Sequence, residues 1–131
     1  MSTLSAEVVT SSSEEQAIRQ AVGYYIEGLR TGSVETLKQG FHPQAVMSGY
    51  LDETPLVTPI QGLYDFAASV PSPAQSGEPF HAEIRSIQVT GNAATIELRE
   101  GPYQGHDFAD SCHLLKIEGR WWITSKLFQA V

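Results

Sequence analysis

The sequence predicts a single α+β domain in which helices cover one face of a bent antiparallel sheet. Apolar residues recur at helical spacing in the first half of the chain, and the pattern switches to the period-two alternation of strands after Pro79. A chain of 131 residues can bury one core without the help of a disulfide or a metal. We therefore expect one domain over residues 14–131, preceded by a flexible arm rich in Ser and Thr over residues 1–13.

Three helices are predicted in the first half of the chain. The first is indicated by apolar residues that share one stripe of a helix: Ile18, Val22, Tyr25, Ile26 and Leu29. Ser12 or Ser13 can cap the start of this helix, and Gly32 can cap its end. A short second helix follows Ser33, and a third is predicted over residues 63–70, where two prolines end it.

Strands account for the rest of the predicted domain. A short strand is expected over residues 45–50, and residues 56–60 can pair with it only at a sheet edge because prolines flank them. Four long strands follow from Phe80 onward, separated by turns at residues 91–92, 101–105 and 118–119. The alternation changes phase near Arg85 and Ser86, which predicts a β-bulge that bends the strand.

Composition and charge exclude several classes of function. The formal net charge of -7 repels phosphate backbones, and no apolar run approaches the roughly 18 residues of a membrane helix, so neither nucleic acid nor a membrane is expected as a partner. Cys112 is the only cysteine, which favours a reducing, cytoplasmic location. The amino terminus has no basic start or continuous apolar stretch, so a secretion signal is not expected, and the sequence contains no glycine-rich phosphate loop. No cofactor is predicted.

Three stretches of the chain match patterns of one superfamily: Phe41-His42-Pro43-Gln44-Ala45, Val89-Thr90-Gly91-Asn92-Ala93 and Leu114-Leu115-Lys116-Ile117-Glu118-Gly119-Arg120-Trp121-Trp122-Ile123. With them the chain resembles the nuclear transport factor 2-like superfamily over about residues 14–131. It is similar above all to the branch named "putative lumazine-binding" and to polyketide cyclase-like members, through Phe108-Ala109-Asp110, Trp121-x-Ile123 and Lys126-x-Phe128. The resemblance implies a cone-shaped roll of three helices against a strongly curved, mostly antiparallel sheet.

This superfamily includes ketosteroid isomerases, polyketide cyclases, dehydratases and non-catalytic binding domains. The isomerases use a tyrosine on the first helix, an aspartate base and a second, protonated aspartate. The resemblance places Tyr25 at the tyrosine, Gly49 at the base and His113 at the second donor. Because glycine cannot accept a proton, we expect no isomerisation of a Δ5-3-ketosteroid by this route.

The candidate site combines Tyr25 with His113. The strand face that carries His113 mixes polar and apolar residues, which is typical of a pocket wall, so the two side chains can form a general acid and base pair. The predicted pocket contains Tyr25, Leu29, Phe41, Met47, Phe66, Ser111, His113 and Leu115. The alternatives are a core tyrosine that bonds to a neighbour and a semi-buried histidine with satisfied hydrogen bonds.

Two further groups of residues bear on ligands and partners. His106, Asp107, Asp110 and His113 crowd one segment, but strand alternation spreads them over two faces, so no metal site is predicted. Trp121 and Trp122 should also point to opposite faces. An outward tryptophan beside Lys126 and Phe128 predicts a homodimer through the outer face of the sheet.

Three functional hypotheses follow. The first is a non-catalytic domain whose cone binds a small hydrophobic or aromatic molecule, and it is favoured because no carboxylate is expected on the pocket wall. The second is an isomerase, cyclase or dehydratase-like enzyme that uses Tyr25 and His113. The third is an accessory or interaction subunit whose cone is filled by its own side chains.

Overall fold

The computed structural model describes the backbone of residues 2–131 and the side chains of residues 13–131. The elements in chain order are α1 (Ser2–Thr31), α2 (Val34–Gly40), β1 (Phe41–Leu51), β2 (Thr54–Pro59), α3 (Gln61–Ser69), α4 (Pro73–Ser76), β3 (His81–Thr90), β4 (Ala93–Tyr103), β5 (His106–Ile117) and β6 (Arg120–Ala130). The arm expected over residues 1–13 lies, except for its last residue, outside the described side chains.

One curved sheet carries all six of these strands. Their order is β2-β1-β6-β5-β4-β3. Neighbouring strands are antiparallel except for β1 and β6, which run parallel. The helices pack on the concave face, as an amphipathic helix must when a sheet offers it an apolar surface. The predicted α+β class, with three helices against a mostly antiparallel sheet, is confirmed.

β-Bulges give the sheet its curvature. The register of β3 shifts between Ile84 and Ser86, so the predicted bulge is confirmed. A second shift lies in β6, where Thr124 is left out of the pairing with β5 and its hydroxyl donates a hydrogen bond to the carbonyl of His113. An extra residue bends the bulged strand and increases its twist, which lets the sheet wrap around the helices.

The turns follow the predicted positions with one difference. Gly91 opens the β3–β4 turn with a φ of 59°, and Glu118 and Gly119 form the β5–β6 turn with φ values of 50° and 80°. The turn expected over residues 101–105 is shorter, because β4 continues to Tyr103. The structure adds α4, a single turn whose four residues are too few to show helical periodicity.

The hydrophobic core lies between α1 and the concave face of the sheet. The predicted stripe of α1 is buried, with Ile18, Val22 and Tyr25 fully inaccessible to solvent. Trp121 is buried in this core, whereas Trp122 lies on the outer face of the sheet, where the guanidinium of Arg120 stacks 3.8 Å from its ring centre. The two tryptophans thus point to opposite faces, as predicted.

Lys126 and Phe128 do not face outward as the sequence pattern suggested. Both side chains are buried on the concave side of the sheet. The bulge at Thr124 is the reason, since an extra residue reverses the alternation beyond it. On β6, the odd-numbered residues point inward before the bulge, and the even-numbered residues point inward after it.

Gly49 is required by close packing. A Cβ at this position would lie 2.1 Å from the carbonyl oxygen of Phe128 on the neighbouring strand. We predict that Gly49→Ala lowers the free energy of unfolding by about 1–3 kcal/mol, because the backbone must move to make room. Equilibrium unfolding in urea measures the change.

The control is Gly23→Ala in the middle of α1, where an added Cβ meets nothing within 4 Å. Alanine is the better helix former, so this variant should gain about 0.5–1 kcal/mol of stability. Equal stability of Gly49→Ala and the unchanged protein would contradict the packing argument. The same contact rules out a carboxylate introduced at residue 49 without local rearrangement.

Candidate functional site

A cavity of about 390 Å³ lies between the helices and the concave face of the sheet. Its apolar wall consists of Leu29, Met47, Leu51, Leu56, Leu63, Phe66, Tyr103, Phe108 and Phe128. Leu51 and Leu56 are partly exposed and mark the mouth. A concave site of this volume with mostly apolar walls and a few polar groups is typical of small-molecule sites.

Four polar side chains form a cluster at the buried side of the cavity: Tyr25, Glu100, Asp110 and Lys126, here called the buried polar cluster. The Tyr25 hydroxyl donates a hydrogen bond to Glu100 Oε2. Lys126 Nζ lies 3.9 Å from Asp110 Oδ2. Tyr25, Glu100 and Lys126 line the cavity directly, whereas Asp110 lies behind them.

The strands place these side chains by simple alternation. Glu100 follows Ala94, Ile96 and Leu98 on the inward face of β4. Asp110 pairs across the β4–β5 ladder with Leu98, which makes it the diagonal neighbour of Glu100. The bulge at Thr124 then brings Lys126 to the same face, opposite Cys112.

The charges of the cluster require one proton on the two carboxyl groups. If Glu100 and Asp110 were both ionised, the single positive charge of Lys126 would leave a net negative charge in the interior. Burial, followed by the interaction with Asp110, raises the pKa of Glu100 well above its ordinary value, although Lys126 and Tyr25 act in the opposite direction. Glu100 is therefore the group that holds its proton.

The hydrogen bonds lead to the same conclusion. Glu100 Oε1 and both carboxylate oxygens of Asp110 are sealed from solvent and receive no hydrogen bond from the described residues. Sealed acceptors without a donor are costly, and a proton on Glu100 Oε1 turns that oxygen into a donor for one oxygen of Asp110. The two carboxyl groups thus behave as a pair that shares one proton and one negative charge.

Two tyrosines and one cysteine near the cavity stay neutral. Burial, together with the nearby Glu100 and Asp110, raises the pKa of Tyr25 well above its ordinary value, so Tyr25 is a hydrogen-bond donor and not a base. Burial raises the pKa of Tyr103 to about 12. Burial also raises the pKa of the Cys112 thiol, which makes a thiolate nucleophile unfavourable.

The structure brings together half of the residues predicted to line the pocket. Tyr25, Leu29, Met47 and Phe66 line the cavity. Phe41 lies in the core instead, where its ring packs edge-on against Tyr25 with 5.5 Å between the ring centres.

Ser111, His113 and Leu115 do not reach the cavity, which corrects the predicted pairing of Tyr25 with His113. The inward residues of β5 are Asp110, Cys112 and Leu114, so His113 and Leu115 are exposed on the outer face of the sheet. The mixture of polar and apolar residues on that face suggested a pocket wall. On a sheet with one covered face, the same mixture also describes the uncovered side.

Sequence reasoning missed three members of the buried polar cluster and wrongly expected no carboxylate on the pocket wall. The signal for Glu100 was present, because it continues the alternation of Ala94, Ile96 and Leu98 on β4. Asp110 likewise shares a face with Cys112. Lys126 had no such signal, since its orientation depends on the bulge at Thr124.

The four side chains considered for a metal site lie in different environments. His106 lines the cavity mouth, Asp107 is exposed, Asp110 belongs to the buried polar cluster and His113 is outside. Within the part of the chain that the structure describes, no three His, Cys, Asp or Glu side chains are grouped to hold a metal ion. None of the described helices is long and apolar enough to cross a membrane.

The raised pKa of Glu100 makes stability depend on pH in a defined direction. In the unfolded chain Glu100 loses its proton near pH 4.5, the ordinary pKa, whereas in the folded protein it keeps the proton to a higher pH. The free energy of unfolding should therefore fall as the pH rises from 4.5 towards the pKa of Glu100 in the folded protein. We predict that Glu100→Gln, which resembles the protonated acid, removes this loss. Thermal unfolding near pH 5 and near pH 8 measures the stability of both proteins. As the pH rises between the unfolded and the folded pKa of Glu100, the variant should become more stable than the unchanged protein by about 1.4 kcal/mol for each pH unit.

Glu97→Gln is the matched control, because Glu97 lies on the same strand but is exposed on its outer face. This variant should follow the pH dependence of the unchanged protein. A gap that stays constant with pH for Glu100→Gln would show that Glu100 is already ionised in the folded state.

Comparison with known proteins places the chain in a family. The model of the family described as "putative lumazine-binding" matches residues 13–129. The aldolase FrzH of Cladobotryum sp. is 31% identical over 122 residues, which cover 92% of this chain and 94% of that protein.

Solved structures agree with this result. A nuclear transport factor 2-like protein of unknown function from Shewanella baltica superposes with a TM-score of 0.83 at 30% identity, covering 92% of this chain and 95% of the other. A similar protein from Methylobacillus flagellatus gives 0.83 at 24% identity, with coverage of 91% and 93%. The chain therefore belongs to the "putative lumazine-binding" family, within the nuclear transport factor 2-like superfamily.

Proposed function

We propose that this protein is an enzyme that transfers protons to and from a small carbonyl compound bound in the cavity, in a reaction of the aldol type. One observation carries the proposal. Two buried carboxyl groups, Glu100 and Asp110, lie beside Lys126 at the buried side of an apolar cavity, where burial raises the pKa of Glu100 well above its ordinary value. Carboxyl groups whose environments separate their protonation states are typical acid and base catalysts.

The walls of the cavity define the class of ligand. Nine residues form its apolar wall, and its polar groups are concentrated near the buried polar cluster and at the mouth. A small hydrophobic or aromatic molecule with one carbonyl group suits this distribution, because its skeleton contacts the wall while its oxygen faces Tyr25 and Lys126. An open cavity also supports a ligand-based function over an accessory subunit with a filled cone.

The cluster can carry both halves of an aldol reaction. Glu100 accepts a proton from the carbon next to the carbonyl while the proton on its sealed oxygen passes to Asp110. The nitrogen of Lys126 supplies the positive charge that stabilises the released electron pair. The nucleophilic carbon then forms a bond to the carbonyl carbon of a second molecule, whose oxygen takes the proton back. The same steps in reverse break that bond.

One comparison supports this reaction class. FrzH, the relative with 31% identity over most of both chains, is named an aldolase. A structural neighbour from Streptomyces avermitilis with a TM-score of 0.67 is described as a putative dehydratase, although its 16% identity supports only the fold. Aldol reactions and dehydrations of carbonyl compounds both begin with the loss of a proton next to the carbonyl.

The proton transfer can be tested without knowledge of the natural substrate. With 4-phenylbutan-2-one in D₂O, we predict that the protein accelerates the exchange of the hydrogens next to the carbonyl, as followed by proton NMR. Glu100→Gln should lower this rate by about 10²–10⁴-fold, the usual contribution of a positioned acid or base. Glu97→Gln, on the outer face of the same strand, should retain the full rate.

If the ketone binds but exchange stays at the rate of buffer alone, the protein is a binding domain and not an enzyme of this kind. Binding is measured independently, from chemical-shift changes of the ring protons of the ketone. A normal rate in Glu100→Gln would contradict the assigned role of the carboxyl pair.

The outer face of the sheet supports a homodimer. Val46, Val57 and Leu127 are 50%, 84% and 54% exposed on neighbouring strands, and Leu115 and Trp122 extend the apolar surface. Leaving apolar surface in water is unfavourable by about 25 cal/mol per Å². We propose that two copies of the chain cover this face, in the cytoplasm, where the single buried thiol of Cys112 remains reduced.

For this proposal we predict a dimer in sedimentation equilibrium at micromolar concentration. Leu127→Asp should shift the protein to the monomer, because it places a charge within the covered surface. Leu56→Asp is the control, since Leu56 is similarly exposed but lies at the cavity mouth. A monomeric unchanged protein would contradict the proposed interface.

A further inference from the structure

We propose that Lys126 acts as a covalent catalyst, whose amino group condenses with the carbonyl carbon of the bound compound to form an iminium ion. This inference rests on the proposed function and specifies how the cluster stabilises the released electron pair. Lys126 is not among the residues compared with the ketosteroid isomerases, and its position in the cavity supports this role.

Lys126 differs from the other lysines of the chain. The sequence contains three lysines, of which Lys38 is exposed and Lys116 donates a hydrogen bond of 2.9 Å to Glu14. Lys126 is only 6% exposed and lines the cavity. A lysine in an apolar cavity is the kind of amine that enzymes use to attack carbonyl carbons.

The amino group of Lys126 is free to react. Its nitrogen forms no hydrogen bond with the described residues, and its ion-pair partner Asp110 is 3.9 Å away, beyond hydrogen-bond distance. The ring centres of Tyr25 and Phe128 lie 5.2 and 5.0 Å from the nitrogen. These rings hold the end of the side chain at the cavity while leaving its N–H groups without a fixed partner.

Asp110 provides the base that this reaction requires. A lysine attacks as a neutral amine, so the ammonium group must first lose a proton, and the carboxylate of Asp110 is the charged acceptor facing it. The amine then adds to the carbonyl carbon, and the resulting hydroxyl group takes up a proton and leaves as water. The carboxyl pair again holds one proton and one negative charge.

The iminium ion continues the proposed aldol reaction. Its positive charge weakens the adjacent C–H bond, and the carboxyl pair accepts that proton to leave a neutral enamine. The enamine carbon forms the new bond to the second carbonyl compound, whose oxygen receives a proton. Water finally adds to the regenerated iminium ion and releases the product from Lys126.

The experiment uses 1-phenylbutane-1,3-dione, an aromatic 1,3-diketone that condenses with an accessible neutral amine, loses one water and forms a stable conjugated enaminone. Near-ultraviolet absorbance follows the reaction, and peptide mass spectrometry locates the modified lysine. We expect one equivalent on Lys126, formed roughly tenfold or more faster than modification of Lys38 or Lys116.

Two variants complete the test. Lys126→Arg keeps the positive charge beside Asp110 but cannot form an iminium ion, so the fast rise in absorbance should disappear and only the slow modification of the other two lysines should remain. The melting temperature should stay close to that of the unchanged protein. Asp110→Asn removes the proton acceptor and should slow the condensation roughly tenfold or more. Equal modification of all three lysines, or unchanged labelling in Lys126→Arg, would overturn the inference.

Comparison with the deuterium-exchange assay separates this inference from the proposed function. Labelling of Lys126 without any exchange of the ketone supports the reactive lysine and contradicts the proposed enzyme. Exchange that persists at full rate in Lys126→Arg supports acid and base catalysis and contradicts covalent catalysis by Lys126.

Discussion

The proton shared by Glu100 and Asp110 is the interaction on which the interior of this protein depends. Two carboxyl groups and one lysine are buried together, and only one retained proton makes their total charge zero. That proton, on the sealed Glu100 Oε1, also provides a donor for one of the two sealed oxygens of Asp110. The Tyr25 hydroxyl donates its own hydrogen to Glu100, and this second hydrogen bond links the longest helix to the sheet at the wall of the cavity.

The polar cluster has a structural cost and a chemical use. An apolar core of the same shape would avoid the desolvation of four polar groups, so these groups lower the stability that the fold could otherwise reach. In exchange, two carboxyl groups and an amine lie together beside the cavity, shielded from bulk water, where their mutual interactions are strong. Buried polar groups that lower stability are expected where a binding or catalytic site is built into a core.

The bulge at Thr124 determines which chemistry faces the cavity. Without the extra residue, the alternation of Trp121 and Ile123 would continue, and Lys126 would point away from Asp110. The bulge therefore converts a strand that begins as part of the core into one that contributes a charged group and an aromatic wall. It also leaves Leu127 on the outer face, where it joins the proposed dimer surface.

The amino-acid pattern by itself determined the fold class, the three main helices, the four long strands, the bulge in β3 and the opposite orientation of the two tryptophans. These features depend on local periodicity and turn residues, which a single sequence displays. Four of the eight predicted pocket residues, Tyr25, Leu29, Met47 and Phe66, also line the cavity. The tertiary structure alone decided which face of β5 is covered, and so replaced His113 by Asp110. It alone joined Glu100 to Tyr25, 75 positions apart, and turned Lys126 inward, because strand pairing and a bulge between distant segments set both contacts.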